Sequence, residues 1–253
     1  MYRKLFILLL FFGLKENHAS AQSGIANFEF VENKGQWDNK VKFCGQINSG
    51  AFFLQENGFT VLLHNPQELQ EVMHGYSDSS SSTGNNNRML HSHSYAVHFA
   101  GANDNIQIIP EKVLSSYNNY FIGNDPSKWA ANCKIYQAFT YKNVYPNIDV
   151  RYYSDQGRLK YEIVVHPGGD VNNITMKYEG VDKLTVKNRE LLIKTSVGEV
   201  KELYPYSYQV NGFTNTKDEI DCRYEVSADN VVRFKMKNYS TKVTLVIDPT
   251  LIF

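Results

Sequence analysis

Three groups of residues in this chain have types and spacings that could do chemistry. His91-Ser92-His93 sets two imidazoles two positions apart, so on a strand both project from one face and could meet one metal ion. Asp149 and Glu162 lie on neighbouring strand-like segments, and a carboxylate pair is what glycoside hydrolysis requires. Trp37, Tyr120 and Trp129 offer aromatic faces on which a sugar could stack.

Each group lacks something. Two histidines do not make a metal site, and no matching pair of Cys, Asp, Glu or His at ligand spacing accompanies them. His98 falls on the opposite face of the same strand. We therefore expect no metal and no cofactor. Asp149 and Glu162 alternate with apolar neighbours and look outward, with Arg151 and Lys160 beside them as cross-strand partners. The chain has no G-x-S-x-G, no H-E-x-x-H and no glycine-rich phosphate loop. No catalytic residue is expected.

The aromatics admit two accounts. In NNYFIGNDPSKWAANC, residues 118–133, Asp125 can cap a helical turn and Pro126 suits its first position, while Gly123 permits a sharp entry. The polar residues then satisfy the backbone locally. Tyr120, Phe121 and Trp129 would anchor the corner by burial, as large aromatics usually do. The anchored corner is the reading adopted; a sugar platform is the alternative.

The chain ends and the composition define the setting. Arg3 and Lys4 precede the apolar run LFILLLFFGL (5–14), which is too short to span a bilayer, and Ala19-Ser20-Ala21 is a small-x-small cleavage pattern. We read residues 1–21 as a secretory signal peptide and expect an exported protein, extracellular or at the cell surface, with the periplasm as the alternative. No later stretch is apolar enough to span a membrane. Whole-chain charge is balanced, with 26 Lys and Arg against 26 Asp and Glu. Removing Arg3, Lys4, Lys15 and Glu16 leaves a net charge of −2, which gives no reason to expect a nucleic-acid partner. Cys44, Cys133 and Cys222 allow at most one intramolecular disulfide, in three ways. Cys222 alternates with charged residues and should face inward.

The elements that must position these residues read as strands. The 17 Tyr and 15 Phe suit a pleated, half-buried surface. Runs at 52–54 and 59–63 flank Asn57-Gly58, a strong hairpin signal. A second hairpin joins Ile148–Tyr152 to Leu159–Val165 through Asp155-Gln156-Gly157. Further strands are predicted near 173–179, 182–187, 190–196, 199–204, 206–211, 219–226, 231–237 and 243–248. One short helix near 65–74 starts at Asn65-Pro66, where Glu68 could reach back in a capping box, and Leu69, Val72 and Met73 share a face. The stretch 75–92 should be a flexible loop, with GYSDSSSSTGNNNR as its polar part. The prediction is an all-β domain over 22–253. We expect an antiparallel β-sandwich, either one large or two in tandem with a sub-boundary near 165–180.

Several of these stretches form an ordered set: Glu32-Asn33-Lys34-Gly35-Gln36-Trp37, Asn119–Trp129, Val144–Val150 with Tyr152-Tyr153, Leu159–Glu162, His166-Pro167-Gly168 and Ile247-Asp248-Pro249. Together they resemble an uncharacterised N-terminal domain of large exported bacterial proteins. That domain often precedes SBBP-type β-propeller repeats, Ig-like or adhesion modules and a sorting signal for type IX secretion. The resemblance implies surface location and a β-rich module within a larger assembly, and it brings no activity and no catalytic residues. Asn147 stands where that family often has glycine. The chain stops just past Pro249, where relatives run on into repeats, so we expect a truncated or stand-alone version. The expected function is a non-enzymatic structural or interaction module, with surface proteins or glycans as partners. A carbohydrate-binding module is the first alternative and a secreted glycosidase or other hydrolase the second.

Overall fold

The computed structural model describes residues 28–75, 89–210 and 216–253. The expected signal peptide and residues 76–88 of the expected loop lie outside them. At the loop's two limits, Gly75 belongs to the helix and Ser92 to a strand.

The described chain is all-β with one α-helix. Its first strands are β1 (Phe30–Glu32), β2 (Val41–Ile47), β3 (Gly50–Gln55) and β4 (Gly58–His64), followed by α1 (Pro66–Gly75). Then come β5 (Ser92–Phe99), β6 (Gln107–Tyr120), β7 (Ala130–Tyr145), β8 (Ile148–Asp155), β9 (Arg158–Val165) and β10 (Met176–Glu179). The last third holds β11 (Lys183–Lys187), β12 (Glu190–Thr195), β13 (Gly198–Glu202), β14 (Tyr206–Val210) and β15 (Lys217–Ile220). It ends with β16 (Cys222–Val226), β17 (Val231–Met236), β18 (Leu245–Asp248) and β19 (Leu251–Ile252). No helix among the described residues is long and apolar enough to cross a membrane.

Every strand pair is antiparallel, as expected, but the architecture is not a clear sandwich. A 15-stranded sheet runs β15-β14-β18-β9-β8-β7-β1-β2-β3-β4-β5-β10-β17-β16, with β6 added on β7. It branches at β7. On β7, Tyr136 faces Val113 of β6 and Phe30 of β1, while Ala138 faces Glu111 of β6 and Tyr153 of β8. Thus β1 and β8 share one edge of β7, and β6 takes the other. Two wings leave that edge, and their far strands, β15 and β16, are separated in the chain by Asp221 alone. The wings therefore nearly close into a barrel. The segment 219–226, predicted as one strand, is broken at Asp221 because its two halves finish opposite ends of the sheet.

Inside, the wings meet face to face. Phe52 and Phe59 of one wing lie with ring centroids 6.2 Å from Tyr152 of the other. A separate sheet, β11-β12-β13-β19, contributes Leu184, Leu191, Ile193, Val200 and Leu251 to the same core. Across 165–180 the core is continuous through Val165, Val171, Ile174, Met176 and Tyr178. Burial of such apolar surface, at about 25 cal/mol per Å², is the main term holding the barrel shut.

Local details refine the predicted turns. In the first hairpin Gln55 pairs with Gly58, so the loop is Glu56-Asn57 and not Asn57-Gly58. Gly58 opens β4 with φ +132°, and a Cβ there would sit 2.0 Å from the Val97 carbonyl oxygen. Its lack of a side chain serves a close approach to β5. In the second hairpin Asp155 pairs with Arg158, leaving a two-residue loop, Gln156-Gly157, in place of the expected three. Both loop residues have positive φ (48° and 75°), as a type I′ turn requires. Asn147 has φ 59°, which explains why glycine suits that position and why asparagine is tolerated. The strand predicted near 173–179 starts only at Met176, and Val171–Asn173 form a 3₁₀ turn capped by Asp170, whose side chain accepts the Asn172 N–H at 2.9 Å.

Candidate functional site

The longest strands, β6 and β7, form a hairpin whose tip is residues 121–129. The tip is held as its sequence suggests. Asp125 accepts the Ser127 hydroxyl at 2.7 Å and the Ser127 N–H at 3.0 Å. These bonds, the hydroxyl's first, hold its carboxyl below the usual range. Lys128 N–H donates to Asp125 O and Trp129 N–H to Pro126 O, each at 3.1 Å, while the Trp129 indole N–H donates to Gly123 O at 3.2 Å.

The anchoring role predicted for the aromatics fails for Phe121 and Trp129, while Tyr120 is half-buried. Phe121 is 60 % exposed, Ile122 76 % and Trp129 43 %, so hydrogen bonds rather than burial hold the corner. The tip lies beyond the stretch of β7 that pairs with β1 and β8, which begins at Ile135, and no strand among the described residues pairs with the outer edge of β6. Phe121 and Trp129 pack edge-to-face, 5.9 Å apart at 70°.

Trp37 and Tyr120 are half-buried and packed together, 5.3 Å apart at 66°. Trp37 is placed by Asn33, which the sequence reading did not single out. Its amide donates at 2.8 Å to Asp38 O and Val41 O, and its carbonyl accepts Gly35 N–H at 3.0 Å and Trp37 N–H at 3.3 Å. The signal was visible: asparagine before Lys-Gly is a turn former that bonds its own backbone. Trp37 is the shared wall of two grooves. One, about 990 Å³, has an apolar floor of Phe43, Ile106, Ile108 and Tyr136 and a rim carrying Glu32, Asp38, Glu56 and Lys128. The other, about 340 Å³, runs past Tyr120 to Gln46. The structure therefore joins Trp37 with Tyr120 and leaves Trp129 on the tip, whose Lys128 overhangs the larger groove.

The histidines do not converge. His91 Nδ1 lies 2.8 Å from Glu68 Oε1, and its backbone N–H donates to Oε2 at 2.6 Å. Glu68 is thereby drawn away from the capping box predicted for it, and Asn65 alone caps the helix by accepting Gln67 N–H and Glu68 N–H. His93 Nε2 meets Gly180 O at 2.7 Å, and its Nδ1 lies 2.9 Å from the Ser196 hydroxyl. Among the described residues no group of three or more His, Cys, Asp or Glu could hold a metal.

Asp149 was expected to face water beside Arg151 and Lys160, but it is 4 % exposed and has other partners. Lys142 Nζ lies 2.6 Å from it, His166 Nε2 2.8 Å, and Asn143 N–H donates at 2.8 Å. Burial raises its pKa, yet these partners outweigh burial and hold the carboxyl below its usual range. Lys160 pairs instead with Asp248 at 2.9 Å. Arg151 pairs with Glu111 at 3.2 Å and Glu162 at 3.8 Å, and Glu162 also accepts the Tyr153 hydroxyl at 2.9 Å. Asp149 and Glu162 belong to separate clusters, and neither lines the two grooves. The three cysteines are free and buried; burial pushes the Cys44 thiol up to about 12 and the Cys222 thiol to about 11, far from the thiolate form.

Fold and surface together define a nearly closed, all-antiparallel β domain with an aromatic-walled groove under an exposed hairpin tip. A family model described as a domain of unknown function (DUF7948) matches residues 30–250, and the chain belongs to that family. Neither the curated proteins nor the solved structures give a match to it.

Proposed function

We propose that this protein is a non-enzymatic interaction module of an exported or cell-surface protein. Its working surface is the β6–β7 tip together with the groove walled by Trp37. One observation carries the reading: Phe121, Ile122 and Trp129 stand exposed together at the end of a hairpin that the Asp125–Ser127 bonds already hold. An apolar cluster that stability does not need is the usual mark of a partner site. The groups that could have catalysed are occupied, since Asp149, Glu162, His91 and His93 each serve structural contacts. Export rests on the pattern of residues 1–21. The partner is a surface protein, and attachment to SBBP-type repeats or a type IX sorting signal fits that role.

The test is a photo-crosslinking side chain placed at Phe121 in the full chain, expressed in the producing cells. A discrete adduct is expected at Phe121 and none at Val186, an exposed apolar residue on the small sheet. Equal yields at both positions, or no adduct at Phe121, would count against the proposal.

Carbohydrate binding is the second reading, favoured by the half-buried Trp37 amid Asn39, Asp38 and Glu32. Against it, the neighbouring rings are inclined at 66° and 70° and make no flat platform. Saturable retention of residues 22–253 on a glycan array or an insoluble polysaccharide, lost in Trp37→Ala, would put this reading first.

A further inference from the structure

Glu202, on β13, is fully buried. Its cross-strand neighbours in the small sheet are Leu191 and Leu251, both apolar. From the large sheet, Tyr161 on β9 donates to its Oε2 at 2.7 Å, and Tyr178 on β10 donates to its Oε1. Tyr224 on β16 lies 3.5 Å from Oε2 but gives its proton to Leu203 O at 2.9 Å. Tyr95 on β5 and Tyr152 on β8 also feel the carboxylate, and their hydroxyls have no partner among the described residues. Five strands thus surround one carboxyl with phenols, and no cation among the described residues acts on it. Burial pushes the pKa of all five phenols far above the usual value, so they remain neutral.

The placement matters because the small sheet has no backbone ladder to the large one. One isolated bridge, Lys160 to Thr250, joins them among the described residues. Glu202 is the buried polar tie between the two; at the surface His93 meets Ser196, and Arg189 donates to Asp221 and to Cys222 O. A carboxylate in a dry interior with no cation is costly when ionised, and two donated phenol protons recover only part of the cost. Burial, the largest influence, therefore raises its pKa above the usual carboxylate value despite those bonds. A raised folded value means that the seated form binds more protons than the released form. That stabilisation is complete below the usual carboxylate range and is lost as pH rises through the folded value.

We propose that Glu202 is a proton-operated latch: protonated, it seats the small sheet in the barrel, and ionised, it loosens that seat. The latch is independent of the binding surface at the hairpin tip.

Native-state hydrogen exchange of β11–β13 amides across pH, corrected for intrinsic exchange, tests it. The opening constant should rise by up to about tenfold per pH unit above the usual carboxylate range and then level off. Glu202→Gln, which keeps the shape and cannot ionise, should abolish the rise. Tyr178→Phe removes a donor to the ionised form and should carry the rise to higher pH. Identical profiles for wild type and Glu202→Gln, or opening that falls with rising pH, would overturn the latch. Should the Gln variant not fold, an unshifted Tyr178→Phe profile would overturn it as well.

Discussion

Tyr152→Ala should lower stability by about 3–5 kcal/mol, as other large aromatic deletions in cores do. For a chain of this size that is a fall of roughly 6–20 °C in Tm. Tyr152 is fully buried at the meeting of the wings, with the rings of Phe52, Phe59, Tyr141 and Tyr161 all within 6.2 Å of its own. Its removal opens a cavity where no single wing can collapse to fill it. Tyr152→Phe should behave in the opposite way. The hydroxyl has no partner among the described residues, so its loss relieves a desolvation cost of about 1–3 kcal/mol. Thermal melts should place the Phe variant at or above wild type. A Phe variant as damaged as the Ala variant would show that the hydroxyl, not the ring, holds the wings.

The second large effect is expected at Gly58. Any side chain there must adopt a φ of +132° and would drive its Cβ to 2.0 Å from a backbone oxygen of β5. Strain of about 1–3 kcal/mol adds to overpacking of similar size. Gly58→Ala should therefore cost about 2–6 kcal/mol in denaturant unfolding. A loss under about 0.5 kcal/mol, typical of an exposed turn, would mean that Gly58 serves the hairpin loop and not the contact with β5.

These two positions show what could be read from the sequence. Asn57-Gly58 and Gln156-Gly157 announced hairpins because turn chemistry is local. Which residue of the first turn was the loop and which the strand depended on β5, some forty residues away, and no local rule reaches that far. Strand spacing likewise gave the antiparallel neighbours but not the closure, which rests on pairings such as Phe99 with Met176 and Ile163 with Ile247. Glu202 was legible and was missed. It lies two positions after inward-facing Val200, and that alternation places it inside. Asp149 followed the same rhythm outward, yet Lys142 and His166 cover that face of β8, so it is buried too. The corner failed for a different reason: aromatics are buried on average, but a hairpin tip has nothing to bury them against.

The hairpin tip is separate from the stability of the barrel, and one melt tests that separation. Phe121→Ser combined with Trp129→Ala removes the exposed ring pair and the indole bond to Gly123 O, while leaving the Asp125 turn intact. With surface substitutions each costing about 0.5 kcal/mol, the double variant should melt within about 5 °C of wild type. A fall of about 10 °C or more, on the scale expected for Tyr152→Ala, would mean that these rings hold the fold, and the tip would no longer be a surface free to bind.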